Sequence, residues 1–185
     1  MTKGIVIALM LAIVVLFLSF SGCQSPTPET INEDGGVKKY NSGADAPKSI
    51  NSSEIISFNC KFSLISLVLE DESELNGRIY TLNADLENES VICKAKWRNR
   101  FGDGETKEFK TNVSFMAKLQ EIASKYNLAQ HNGYTSTVSG LPDMYGAKLD
   151  IEYSSGESIY AYDNQDNFLS LAAMKELIAL FFQTK

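Results

Sequence analysis

The chain has 185 residues, with 17 basic and 23 acidic side chains and a formal charge of −6 at pH 7. That balance repels phosphate backbones and argues against a nucleic-acid partner. The length leaves room for one modest folded domain once an export signal and a Pro/Gly-rich stretch at the N-terminus are set aside.

The first 23 residues begin Met-Thr-Lys, run apolar from Ile5 to Leu18 and end Ser19-Phe20-Ser21-Gly22-Cys23. A short basic start and an apolar core of this size fit a secretory h-region of about 7–15 residues better than a spanning helix of about 20. The small residues Ser21 and Gly22 ahead of Cys23 resemble the lipobox of bacterial lipoproteins, where the cysteine is diacylated before the signal is cut away. Phe20 stands where that family usually carries an aliphatic residue. The resemblance implies a signal peptide over residues 1–22, fatty-acyl (diacylglyceryl) chains on Cys23 and a cell-membrane location facing outside the cytoplasm. Two acyl chains on one residue make a stable anchor, whereas one holds marginally. An ordinary secretory signal and an uncleaved anchor are the alternatives. Loss of residues 1–22 removes Lys3 and no acid, so 16 basic and 23 acidic side chains remain, a charge of −7. Such a surface discourages flat contact with anionic lipid and leaves attachment to the anchor.

From 24 to 53 the chain holds three of its four prolines, Pro26, Pro28 and Pro47, with Gly35, Gly36 and Gly43. Its few apolar residues do not offset the entropy of ordering the segment, which reads as a flexible tether after the lipidated cysteine. Coil scaling separates its ends by roughly 30 Å.

Residues 54–185 read as one extracytoplasmic α+β domain. Alternation at period two predicts four strands: Ile56, Phe58, Cys60, Phe62 and Leu64 share a face of the first, and Tyr80, Leu82, Ala84 and Leu86 a face of the second. Val91, Cys93, Ala95 and Trp97 mark the third, opposite Lys94, Lys96 and Arg98 on its wet side. The fourth, over 106–113, turns Phe109 and Val113 inward. Turn chemistry stands at Asn76-Gly77, Asn88 and Asp103-Gly104. At Ser114, a predicted N-cap, the period becomes helical, and Phe115, Met116, Leu119, Ile122, Ala123 and Tyr126 form one stripe. Residues 128–146 read as a long irregular connection. A hairpin turning at Ser155-Gly156 and a closing helix over Leu171–Gln183 complete the chain. The expected architecture is therefore an antiparallel sheet in the element order ββββ-α-ββ-α, with two helices packed on one face.

Over residues 106–185, the helix end Lys125-Tyr126-Asn127-Leu128, then Asn132-Gly133-Tyr134, the Leu149-to-Tyr153 and Ser158-to-Ala161 strands, and the terminal helix carry a pattern. It resembles an uncharacterised exported-domain family of unknown function. Members often carry an aromatic residue before the Asn-Gly pair, where this chain has His131. The resemblance implies the fold and no activity.

Few groups suggest chemistry. With Cys23 acylated, Cys60 and Cys93 remain as a disulfide candidate or as two buried thiols. In a simple meander their strands stand roughly 10 Å apart, too far to bridge. The lone histidine, His131, lies outside any nucleophile motif, and structural zinc wants about four Cys or His ligands, so no catalytic residue, metal or cofactor is assigned. The acids at 70–74 and Asp163 with Asp166 lack the calcium-loop spacing and read as solvated turns. Tyrosines are placed more suggestively: Tyr160 and Tyr162 lie opposite Ile159 and Ala161, and Tyr134 and Tyr145 sit in the long connection beside His131. Together these five residues form a candidate binding surface, with a helix-covered core position as the alternative for Tyr160 and Tyr162. The reading favoured is a membrane-anchored, non-enzymatic binding module for an envelope protein, peptide or glycan. A small envelope hydrolase and a solute-binding transporter component are the alternatives.

Overall fold

The computed structural model describes residues 29–31, 36–67 and 75–183. The lipobox with Cys23 and the acids at 70–74 lie outside the described residues. Strands are β1 (Glu29–Ile31), β2 (Val37–Asn41), β3 (Ile55–Ser63), β4 (Ile79–Glu87), β5 (Ser90–Arg98), β6 (Gly104–Asn112), β7 (Thr135–Val138), β8 (Ala147–Tyr153) and β9 (Ser158–Asp163). Helix α1 (Ser114–Lys125) lies between β6 and β7, and α2 (Leu171–Gln183) closes the described chain. The fold is α+β, a single domain built on one mostly antiparallel sheet in the order β1-β2-β7-β9-β8-β3-β4-β5-β6. Only β7 and β9 pair in parallel among the described strands.

Alternation explains the core. Phe58, Cys60 and Phe62 on β3, Tyr80, Leu82 and Ala84 on β4, and Val91, Cys93 and Ala95 on β5 are buried. So are Leu149, Ile151 and Tyr153 on β8, with Ile159 and Ala161 on β9. Helix stripes from α1 (Phe115, Leu119, Ile122) and α2 (Met174, Leu177, Phe181) enter the same cluster. Each such side chain removed from water contributes roughly 1.5–3 kcal/mol. Phe115 and Phe181 meet edge-on at 5.1 Å between centroids, so the two helices share one aromatic contact. Helix α2 starts where expected because Ser170 Oγ accepts the Ala173 N–H at 3.2 Å.

The expected order ββββ-α-ββ-α is corrected in two places. The stretch expected as a tether contributes β1 and β2, and β2 pairs with β7 from Lys38 to Asn41. Backbone hydrogen bonds supply that pairing, so the sparse apolar content of the segment did not forbid it. Glu157 then pins the following residues, accepting from the Asn51 and Ser52 N–H groups at 2.9 and 3.0 Å. Within the expected irregular connection, Leu128–His131 forms a 3₁₀ turn and Thr135–Val138 forms β7.

Local parity also departs from expectation at two sites. A register shift between Ile55 and Ser57 buries Ile55 and leaves Ile56 only half-buried, because one extra residue reverses the facing side chain. Val113 is 54% exposed and itself occupies the N-cap of α1, displacing Ser114 into the first turn. Asn112 Oδ1 takes over part of the capping, accepting the Ser114 N–H at 3.0 Å.

β3, β4 and β5 form a meander in which Cys60 faces Leu82 and Cys93 faces Ala84. Both thiols are buried and unbonded. Burial pushes the Cys93 thiol up to about 12 and Cys60 higher, which keeps both protonated and unreactive at neutral pH.

Candidate functional site

The five candidate residues do not form one patch. His131 and Tyr134 belong to a packed knot where the 3₁₀ turn, β9 and the 163–167 connection meet. Asn132 is buried and its amide donates to the carbonyls of Pro47 and Ser158 at 3.0 and 3.1 Å, while its Oδ1 accepts the Tyr160 N–H at 2.9 Å. Gly133 is there for space: a Cβ on it would stand 2.5 Å from that of Ala46, and its φ is +77°. Asp163, 2% exposed, accepts the Gln165 and Asp166 N–H groups on Oδ1, and the Tyr134 hydroxyl on Oδ2 at 2.7 Å. Burial first, then this bond and the Asp163 charge, push the Tyr134 phenol far up. The buried Asn164 pairs with Val138 as another strand would, accepting its N–H and donating to its carbonyl, both at 2.9 Å.

His131 is held in this knot by an aromatic neighbour. Its ring lies 5.1 Å from that of Phe168, and its Nε2 meets the Gln130 amide at 3.1 Å. Burial, then the Lys48 charge, hold its pKa below the ordinary imidazole value. Tyr134 touches Phe168 and Tyr40 edge-on at 5.8 and 5.9 Å. The Asp163 carboxylate is thus spent on backbone and phenol rather than left facing solvent.

Tyr160 and Tyr162 lie on the other side of the sheet from the helices and the core. Along that outward face, register brings Tyr162 beside Lys148, Lys148 beside Lys61, Lys61 beside Thr81 and Thr81 beside Lys96. At about 4.8 Å per strand, this row spans roughly 19 Å. None of these residues is buried, and Tyr160, one step along, is 41% exposed. Lys148 Nζ stands 5.7 Å from the centroid of the Tyr160 ring and 3.5 Å from Asp150 Oδ2. The loop bearing Tyr145, itself 38% exposed, reaches this face through Asp143, whose carboxylate pairs with Lys61 Nζ at 2.5 Å. Burial, then the Asp143 charge, raise the Tyr162 phenol. Near the middle of the face, Asn83 Oδ1 is buried with no hydrogen-bond partner among the described residues. An unsatisfied buried acceptor costs about 1–3 kcal/mol and marks a place that a donor would fill.

Sequence reasoning found Tyr160 and Tyr162 from strand parity but not Lys148, Lys61, Asp143 or Asn83 beside them. The signal for Lys148 was its alternation with Leu149, while the others depend on strand order. Among the described residues, no group of three His, Cys, Asp or Glu is arranged to hold a metal ion. No described helix is long and apolar enough to cross a membrane. No family model, curated protein or solved structure matches the chain.

Proposed function

We propose that this is a membrane-anchored lipoprotein, acylated on Cys23, that serves as a binding module at the cell envelope with the outward sheet face as its contact surface. The observation that supports this most is the exposed Tyr160 ring with Lys148 above it, set on a wide polar face that neither helix covers. Of the partners the sequence left open, a glycan suits this face best. Tyr160 and Tyr162 offer ring faces with polar tips, and farther along the same face, Asn59 two strands away and Thr81 and Asn83 three strands away add amide and hydroxyl groups at roughly 10 and 14 Å. Asn132 holds β9 and hence Tyr160 in place, and the Tyr134 carbonyl accepts the Tyr162 N–H at 2.9 Å.

The test is co-sedimentation of the full chain, in neutral detergent, with insoluble envelope polysaccharide. Binding that soluble glycan fragments compete away is the expected result. Silence against envelope polysaccharide and glycan arrays, with stoichiometric capture of a protein instead, would overturn the glycan assignment. For the anchor, Cys23→Ala is expected to lose the acyl mass seen by mass spectrometry of the parent extracted from membranes.

A further inference from the structure

The far end of the outward face carries a second feature that the glycan reading does not use. On β5, Lys94, Lys96 and Arg98 point outward in sequence, yet their surroundings differ. Lys94 faces Glu108 across the β5–β6 ladder and is ion-paired with it. Lys96 faces Thr81 on one side and Thr106 on the other, and Arg98 faces Ile79 and Gly104. Neither the Lys96 ammonium nor the Arg98 guanidinium has a hydrogen-bond or ion-pair partner among the described residues, although the Lys96 charge also acts on Glu108. Both line a groove of about 310 Å³, shared with Lys61 and the Thr81 and Thr106 side chains. Among the described residues, Glu105 is the only acid in its lining. Two unpaired cations lining one groove, in a chain of formal charge −6, call for an anion.

The chemistry of the lining selects among anions. An Arg guanidinium forks onto two oxygens of one group, an ammonium adds a point charge, and threonine hydroxyls donate to further oxygens. A tetrahedral phosphate presents enough acceptor oxygens for all of them. Beside the groove, the β5–β6 turn holds Phe101 at its tip, 85% exposed, between Arg100 and Gly102. Phe101 is the most exposed of the large hydrophobic side chains among the described residues. An aromatic ring presented beside cations on a hairpin tip suits the boundary between lipid headgroups and acyl chains.

We propose that the groove between Lys61, Lys96 and Arg98 binds a phosphate group, and that Phe101 decides whether that phosphate is a lipid headgroup. This goes beyond the glycan reading: Thr81 belongs to both surfaces, whereas Lys96, Arg98 and Phe101 belong to the phosphate reading alone, so either assignment can fail alone.

The full chain in neutral detergent micelles is titrated with inorganic phosphate, and separately with micelles doped with phosphatidylglycerol. The parent binds phosphate, and the double variant K96Q/R98Q weakens that binding at least tenfold, equivalent to about 1.4 kcal/mol. Lys110→Gln, on the same face of β6 but away from the groove, leaves it unchanged. Phe101→Ser weakens binding to the doped micelles while sparing inorganic phosphate if the source is lipid, and changes neither if the source is a soluble phosphate ester. Absence of phosphate binding by the parent, or equal losses in K96Q/R98Q and Lys110→Gln, overturns the proposal.

Discussion

The two faces of the sheet are built from the same strands, one residue apart, and they meet opposite surroundings. On the inner face, Leu82, Cys93 and Leu149 are fully buried in the cluster that the helix stripes enter. On the outer face, Thr81, Lys94 and Lys148 are half-buried and keep contact with solvent. A change on the inner face removes packed apolar volume, whereas a change on the outer face removes a group still in contact with water. Stability and contact are therefore separable by strand parity, and mutations at adjacent positions should give unlike results.

The largest expected contrast is at Leu82. Leu82→Ala should cost about 2–5 kcal/mol in urea unfolding, from lost transfer free energy and the cavity left under α1 and α2. The adjacent Thr81→Ala should stay within about 0.5 kcal/mol of the parent. Equal losses at the two positions would break the comparison.

A smaller effect belongs to the knot that holds β9 against β7. Asn164→Ala leaves the Val138 N–H and carbonyl without their side-chain partner, at a cost of about 1–3 kcal/mol. Hydrogen exchange should show the loss concentrated at β7 and its neighbours, with the β3–β5 meander still protected.

The smallest effect is a pH dependence. The folded His131 titrates below the unfolded imidazole, so between those two values the unfolded chain binds more protons. Stability contributed by the neutral ring is complete above the unfolded value and is lost as pH falls through that window. His131→Gln should flatten this part of the stability profile while sparing the change due to carboxylates at lower pH. A profile unchanged by the substitution would place the titration elsewhere.

Much of the inner face was legible because burial on one side of a strand imposes period two. Cys60 and Phe62, or Cys93 and Ala95, could be assigned without knowing any neighbour. Helix α2 was legible from Met174, Leu177, Ile178 and Phe181, whose spacing admits only a helical stripe. β2 was not, because Lys38 to Asn41 join the sheet through backbone groups that every residue has. β7 escaped for a related reason: Thr-Ser-Thr-Val carries little contrast between its faces, and one of its partners is the Asn164 side chain.

The outward site was legible only in part. Parity placed Tyr160 and Tyr162 together, but the meeting of Tyr162, Lys148, Lys61 and Asp143 depends on β8 lying between β9 and β3. The difference between the paired Lys94 and the unpaired Lys96 depends on the β5–β6 register, which a slip of one residue would rearrange. His131 drew attention as the lone histidine, whereas its neighbours Phe168 and Gln130 give it a packing role.

The central claim, that the outer face binds while the inner face stabilises, is tested most directly by the double variant Tyr160→Ala, Tyr162→Ala. Its urea midpoint and its co-sedimentation with envelope polysaccharide are measured on the same preparation. The account predicts a midpoint close to that of the parent and binding weakened about tenfold or more. Unchanged binding at full stability, or binding lost only because the chain unfolds, would contradict it.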